Sequence, residues 1–282
     1  MQPIYQVRLG VLVLALGGFW MAVTQQPPAQ PLTIEKVADD LHVIVGSGGN
    51  VAVLTTPEGV ILVDDKFERN VPEILARVKE VTDKPVRYVL NTHHHGDHSG
   101  GNQKLLTESD VEIIAHMNAR ANMVRTSMPG IPRITFSSET AVHLGGKEVQ
   151  ARYFGRGHTN GDVVIAFPAH KVIHMGDLLN AGGPFIDYSA NGSAFEWTKT
   201  LDAVLKTDFD TVIPGHGAIM KRSDMIEWRK KFETMRNRVS ELRRQGKSQE
   251  ETAKMLKVDD LGWGSSALLQ RSLPGLYEEV GR

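Results

Sequence analysis

The sequence predicts an α/β fold of two β-rich layers with helices on their outer sides. Three observations carry the prediction. Short β-branched runs alternate with amphipathic stretches in both halves of the chain. Most of those runs close on Gly, Asp or His, and α/β folds place their chemistry at the ends of strands. One stretch, Asn91 to Asn102, packs four histidines and an aspartate into the six residues His93 to His98, directly behind such a run.

The chain has 282 residues, enough for one large domain or two small ones and for a sizeable core. Its 41% hydrophobic and 23% charged residues are ordinary for a globular protein. A formal net charge of −1 argues against nucleic acid or an anionic membrane as the main partner and leaves a small-molecule substrate. There is no cysteine, so disulfides and thiolate ligands are excluded. Any metal must be held by nitrogen and oxygen atoms.

Residues 1–24 read as a secretory signal peptide or an N-terminal anchor. Arg8 is their one charged side chain, and Leu9 to Val23 is an apolar run of 15 residues, suited to a signal core and short for a membrane span. Cleavage would give a secreted or periplasmic protein; without it the chain is membrane-anchored. Residues 25–32, with Pro27 and Pro28, form a linker. The main body is expected over residues 33–220, with 221–282 as a helical extension packed on it.

The body opens with strands at Leu41–Val45, Val51–Thr55 and Val60–Val63, separated by Gly46, Gly48, Gly49 and Gly59 and closed by Asp64 and Asp65. Pro72 to Val81 is an amphipathic helix with Ile74, Leu75, Val78 and Val81 on one face. Val86–Leu90 is the strand that leads into the histidine cluster, and a more helical stretch follows it. Val111–Ala115 is the next strand, Ala119–Arg125 a helix, and Met128–Arg133 a loop that could border a substrate groove. In the second half, Val149–Phe154, Val163–Phe167, Lys171–Met175 and Thr211–Ile213 read as strands. Phe195–Leu205 reads as a helix with Phe195, Leu201, Val204 and Leu205 on its apolar side. Met225, Trp228, Phe232, Met235, Val239 and Leu242 step by three and four along a long helix, a packing stripe with Arg229, Lys230, Lys231, Arg236, Arg238, Arg243 and Arg244 on the solvated side. Gly246 ends that helix, and Ser248 with Glu251 fits a capping box for the next.

The spacing H-x-H-x-D-H lets His93 and His95 face one metal while Asp97 and His98 face another. His94 lies between two of these ligands and is expected to point away. The cluster alone gives each ion two ligands, so others must come from elsewhere. His158, Asp177 and His216 stand out, each beside glycine at the end of a strand. His42, His116, His143, His170 and His174 lack such a context and read as structural or exposed.

In that order the motifs resemble those of the metallo-β-lactamase superfamily, over roughly Leu41 to Gly217. The resemblance implies an αββα four-layer sandwich, here followed by C-terminal helices. It implies that His93, His95 and His158 hold a first metal, that Asp97, His98 and His216 hold a second, and that Asp177 bridges them. Asp64 would support the metal loop from behind. Two zinc ions per chain are expected, with iron or manganese as substitutes. The implied chemistry is hydrolysis of an amide or ester, such as a β-lactam or lactone, by a metal-bound hydroxide that Asp97 orients. True class B1 β-lactamases carry Cys where this chain has Asp177, and a substrate-binding Lys where it has Asn180. Asp177 instead resembles glyoxalase II and lactonases, although the glutathione-binding signature of glyoxalase II is not apparent. The resemblance leaves the substrate open, because function lives in sites grafted on the fold. Tyr188 and Asn191, in the loop after Asp177, are candidate substrate contacts. The alternatives are an iron-dependent oxidoreductase of the same fold, akin to a persulfide dioxygenase, and a metal-binding protein without turnover.

Overall fold

The computed structural model describes residues 31–264 and 267–282; the expected signal segment lies outside them, as does most of the expected linker. Strands β1 (Thr33–Lys36), β2 (Leu41–Val45), β3 (Val51–Thr56), β4 (Gly59–Val63), β5 (Val86–Asn91), β6 (Glu112–His116) and β7 (Ile134–Phe136) form one seven-stranded sheet in that order. Strands β8 (Glu139–Leu144), β9 (Lys147–Arg152), β10 (Val164–Phe167), β11 (Val172–His174), β12 (Thr211–Ile213) and β13 (Met220–Lys221) form a second sheet, ordered β13-β12-β11-β10-β9-β8. The helices are α1 (Val71–Lys79), α2 (Gly96–Ser99), α3 (Asn102–Glu108), α4 (Met117–Arg125), α5 (Ala194–Val204), α6 (Arg222–Arg244), α7 (Gln249–Met255) and α8 (Ala267–Glu279).

Side chains alternate across each strand, so each sheet feeds two cores. Ala52, Leu54, Ile61 and Val63 of the first sheet meet Val149, Ala151, Ile165 and Ile213 of the second in a core between the sheets. Their strand neighbours Val51, Val53, Val60 and Leu62 pack outward on Ile74 and Val78 of α1 and Leu105 of α3. Val164, Ile173 and Val212 pack outward from the second sheet on α5, α6 and α8. The result is helix, sheet, sheet, helix, as expected.

Two parallel pairs position the site. β4 runs beside β5 with Val63 opposite Leu90, and β11 beside β12 with His174 opposite Ile213. Asp64 and Thr92 therefore emerge at one sheet end, and Asp177 and His216 at the other. The two ends are tied together: Val163 N–H donates to Thr92 O at 2.9 Å and Asn50 N–H to Gly215 O at 2.7 Å.

Several expectations need correction. Leu32, placed in the linker, is 1% exposed in the core over α1, and its N–H donates to Glu73. Strands β1, β7, β8 and β13 went unread because they are short or mostly exposed, and so carry little apolar signal. Phe195 is 40% exposed; the buried face of α5 runs through Trp197, Leu201 and Val204 instead. The stripe on α6 is buried from Met225 to Val239, but Arg236 is buried with it and donates to Thr198 Oγ1 at 3.0 Å. The loop 128–133 lies against α3 and α4, held by Gly130 N–H to Gln103 and Arg120 to Pro132 O, and does not line the cleft described below. The capping box at Ser248 and Glu251 forms with both bonds.

Candidate metal centre

β5 ends at Asn91, the chain bends through Thr92 to His94, and His95 has extended backbone angles (φ −66°, ψ 145°) as the N-cap of α2. The chain turns helical at Gly96. That change of backbone sends Asp97 and His98 to a different side from His93 and His95. His158 arrives from the loop before β10, Asp177 from the turn after β11 and His216 from the turn after β12.

Donor atoms of His93, His95, His158 and Asp177 all lie within 4.8 Å of one another, as do those of Asp97, His98 and His216. In the first group, His95 Nδ1 is 3.1 Å from His93 Nε2 and 2.8 Å from His158 Nε2. In the second, His98 Nε2 is 3.3 Å from His216 Nε2, and His216 Nε2 is 3.2 Å from Asp97 Oδ2. Asp177 stands between the groups. Its Oδ1 is 3.3 Å from both His98 and His216, and its Oδ2 is 3.6 Å from His158.

The outer nitrogens fix the tautomers. His93 Nδ1 meets Thr92 Oγ1 at 3.0 Å, His95 Nε2 meets Asp187 Oδ2 at 2.9 Å, His98 Nδ1 meets Asp64 Oδ2 at 2.7 Å, and His158 Nδ1 meets Phe185 O at 2.6 Å. Thr92 Oγ1 gives its own proton to Asp64 Oδ2, so it accepts from His93. At His93, His95 and His158 the outer nitrogen thus donates, and the inner nitrogens turn lone pairs toward one another. Lone pairs at about 3 Å repel unless a cation sits among them. Asp177 Oδ1 is buried without a hydrogen-bond donor. Two glycines let the backbone close on these side chains: a Cβ on Gly49 would lie 2.2 Å from the His98 ring, and one on Gly215 would lie 2.1 Å from Asp177 Oδ1. These residues fit two divalent cations held by nitrogen and oxygen.

Electrostatics differ between the two groups. Burial pushes the His158 imidazole down to about 4 and His93 well below its ordinary range, so both stay neutral and able to ligate. Burial works against charge on Asp97, but His98 and His216 outweigh it and hold the carboxyl at about 2. At His98 burial is outweighed by Asp177, Asp97 and Asp64, which raise it well above the usual value.

The groups open on a cavity of about 520 Å³, with His95, Asp97, Asp177 and His216 at its base and Phe67 and Phe185 on its walls. The fold brings together His93, His95, Asp97, His98, His158, Asp177 and His216. It does not bring Tyr188 or Asn191 to the cavity. The Tyr188 hydroxyl donates to Glu279 at 2.7 Å, and Asn191 is an exposed residue in the left-handed region (φ 56°) that ends a 3-10 turn. His94 lies outside both groups, as expected, yet its ring is buried 4.5 Å from that of His95, and its donor atom comes close to His95 and Asp187. His174 and His116 are structural: His174 bonds Asn50 O, and His116 caps α4. Asp187, Thr92 and Phe185 were not foreseen. The available signal for Asp187 was that it is the sole acid between Asp177 and Glu196.

Comparison with known proteins agrees with this geometry. The family model for the metallo-beta-lactamase superfamily matches residues 44–216. The chain is 30% identical over 182 residues to the metallo-beta-lactamase type 2 of Bacillus cereus, covering 63% of this chain and 70% of that protein. It is 29% identical over 223 residues to the metallo-beta-lactamase type 2 of Elizabethkingia meningoseptica, covering 73% and 86%. The solved structure of a metallo-beta-lactamase from Pontibacter korlensis shares the fold, with a TM-score of 0.63 at 21% identity over 71% of this chain and 99% of that one. The matched stretch runs from β2 to His216, the last of the converging side chains, and so the chain belongs to the metallo-beta-lactamase superfamily and is a metal-dependent hydrolase.

Proposed function

We propose that the protein is an exported dinuclear zinc hydrolase that cleaves an amide or ester bond in a small cyclic substrate, a β-lactam or a lactone. The observation that carries this reading is Asp177, whose two carboxylate oxygens face two separate nitrogen-rich groups. His93, His95 and His158 would hold one ion, Asp97, His98 and His216 the other, with Asp177 shared. Bound there, divalent ions supply Lewis acidity and lower the pKa of water toward neutrality. The chain's own residues do the rest. Asp97, ionised at the cavity base, accepts a hydrogen bond from the attacking water and orients it. Asn180 lines the same cavity; its Oδ1 accepts from Gly182 N–H at 2.9 Å, which leaves its amide N–H groups as donors for a substrate oxygen where charge develops. Phe67 and Phe185 exclude water from one flank.

The names of the two relatives make a β-lactam the first substrate to try. The export reading rests on the apolar run Leu9 to Val23; among the described residues no helix is long and apolar enough to cross a membrane. The test is hydrolysis of nitrocefin and of a chromogenic lactone before and after chelation. Turnover of either, lost with the metal and regained on adding zinc, supports the proposal. Metal-loaded protein inert toward both would reject it.

A further inference from the structure

Arg271 lies on α8, beyond the stretch 44–216 that the family shares, yet it lines the mouth of the metal cavity. Its neighbours place it there. Ser272 Oγ accepts the N–H of Ile186 at 2.8 Å. Two turns on, Glu279 accepts from the Tyr188 hydroxyl at 2.7 Å and from Ala194 N–H at 2.9 Å, and also from Ser193. These bonds dock α8 on the loop that carries Phe185 and Asp187. The Arg271 guanidinium then sits 4.6 Å from the centre of the Phe185 ring. That ring stacks on His95 at 6.0 Å and meets His158 edge-on at 5.5 Å. One continuous wall therefore runs from the first metal group through Phe185 to Arg271.

Arg271 is exposed, makes no ion pair among the described residues, and is the sole cationic side chain besides histidine that lines this cavity. Contact with the Phe185 ring holds the guanidinium at the cavity mouth, and its fork of N–H donors matches a carboxylate bidentately. A single cation matches a single negative charge, and the apolar flank between it and the ions suits the body of such a molecule. We infer that Arg271 is a specificity-determining residue that binds a carboxylate on the substrate, and that the C-terminal helix thereby completes a cleft the shared fold leaves open. The inference rests on the metal-centre reading given above.

The experiment measures calorimetric binding of N-(3-mercaptopropanoyl)-L-proline and of its neutral prolinamide to the zinc-loaded protein. The thiolate anchors either compound on the metal, and only the first offers a carboxylate. The expected result is that the wild-type protein prefers the carboxylate by about tenfold at low salt, less as salt rises. Arg271→Gln should abolish the preference while still binding the amide, and Arg271→Lys should keep part of it. Thermal midpoints of the two variants serve as the folding check, since an exposed side chain contributes little to stability. No preference in the wild type, or a preference that survives Arg271→Gln, overturns the inference alone. Failure of both compounds to bind zinc-loaded wild type overturns the metal-centre reading and this inference with it.

Discussion

Gly49 and Gly215 are glycines because the site fills the space their Cβ atoms would take, against the His98 ring and Asp177 Oδ1. Gly49→Ala should therefore displace His98 and leave the protein binding about one ion per chain in place of about two, with its circular dichroism unchanged. Two ions retained at wild-type affinity would show that His98 is not a ligand. Asp187 matters differently, through the 2.9 Å contact that orients His95. Asp187→Ala should weaken binding at the first group about 10–100-fold in a chelator competition and spare the second. Equal loss at both groups would place the effect elsewhere. Sequence made part of this site legible. The seven converging side chains share two patterns, close spacing from His93 to His98 and glycine-flanked strand ends at His158, Asp177 and His216. The supporting residues follow no such pattern. Thr92 is simply next to a histidine, Phe185 acts through its backbone carbonyl, and Asp187 reaches His95 only because its loop folds back. Tyr188 was a reasonable candidate by position, but Glu279, 91 residues away, takes its hydroxyl.

Among the elements, α8 has the largest influence that its own sequence does not announce. Glu279 gathers Tyr188, Ser193 and Ala194, and so clamps the loop that presents Phe185 and Asp187. Glu279→Ala leaves those donors without their acceptor and should cost about 1–3 kcal/mol in denaturant melts. Hydrogen exchange should quicken in residues 185–194 before it does in the sheets. A melt within error of wild type would show that the clamp is not needed. Long elements with clear periodicity were readable. Helix α6 shows its stripe because Trp228 and Phe232 stack at 5.3 Å over Trp197, a packing that demands apolar residues at three- and four-residue steps. The exception, Arg236, is buried with partners at Thr198, at the Phe195 ring and at Glu233 of its own helix, and no periodicity reports the two partners on α5. Strand β8 alternates but is largely exposed, so its apolar signal is weak.

For the molecule as a whole, the metal centre sets how acid acts on stability. In the metal-free protein burial holds His93, His94, His158 and His174 neutral, with His158 and His174 lowered to about 4 and His94 to about 3. The unfolded chain protonates the same side chains near 6.5. Below that pH the unfolded state binds more protons than the folded one, so these four residues destabilise the fold progressively, His158 and His174 down to about pH 4 and His94 to about pH 3. Burial raises Asp162 to about 7 and Asp65 well above its ordinary value, and these two act with the opposite sign over the same window. Burial lowers His42 and His116 as well, so six histidines act against two aspartates and predict a net fall in the stability of metal-free protein on acidification from about pH 6.5, measurable by denaturant melts. A rise would contradict the assignment of these histidines as neutral. The central claim, a two-ion centre of nitrogen and oxygen donors joined by Asp177, is tested most directly by elemental analysis of the purified protein. About two zinc ions per chain, removed by chelation and restored by added zinc, are expected. Iron as the dominant metal, or fewer than about one ion per chain after loading, would contradict it.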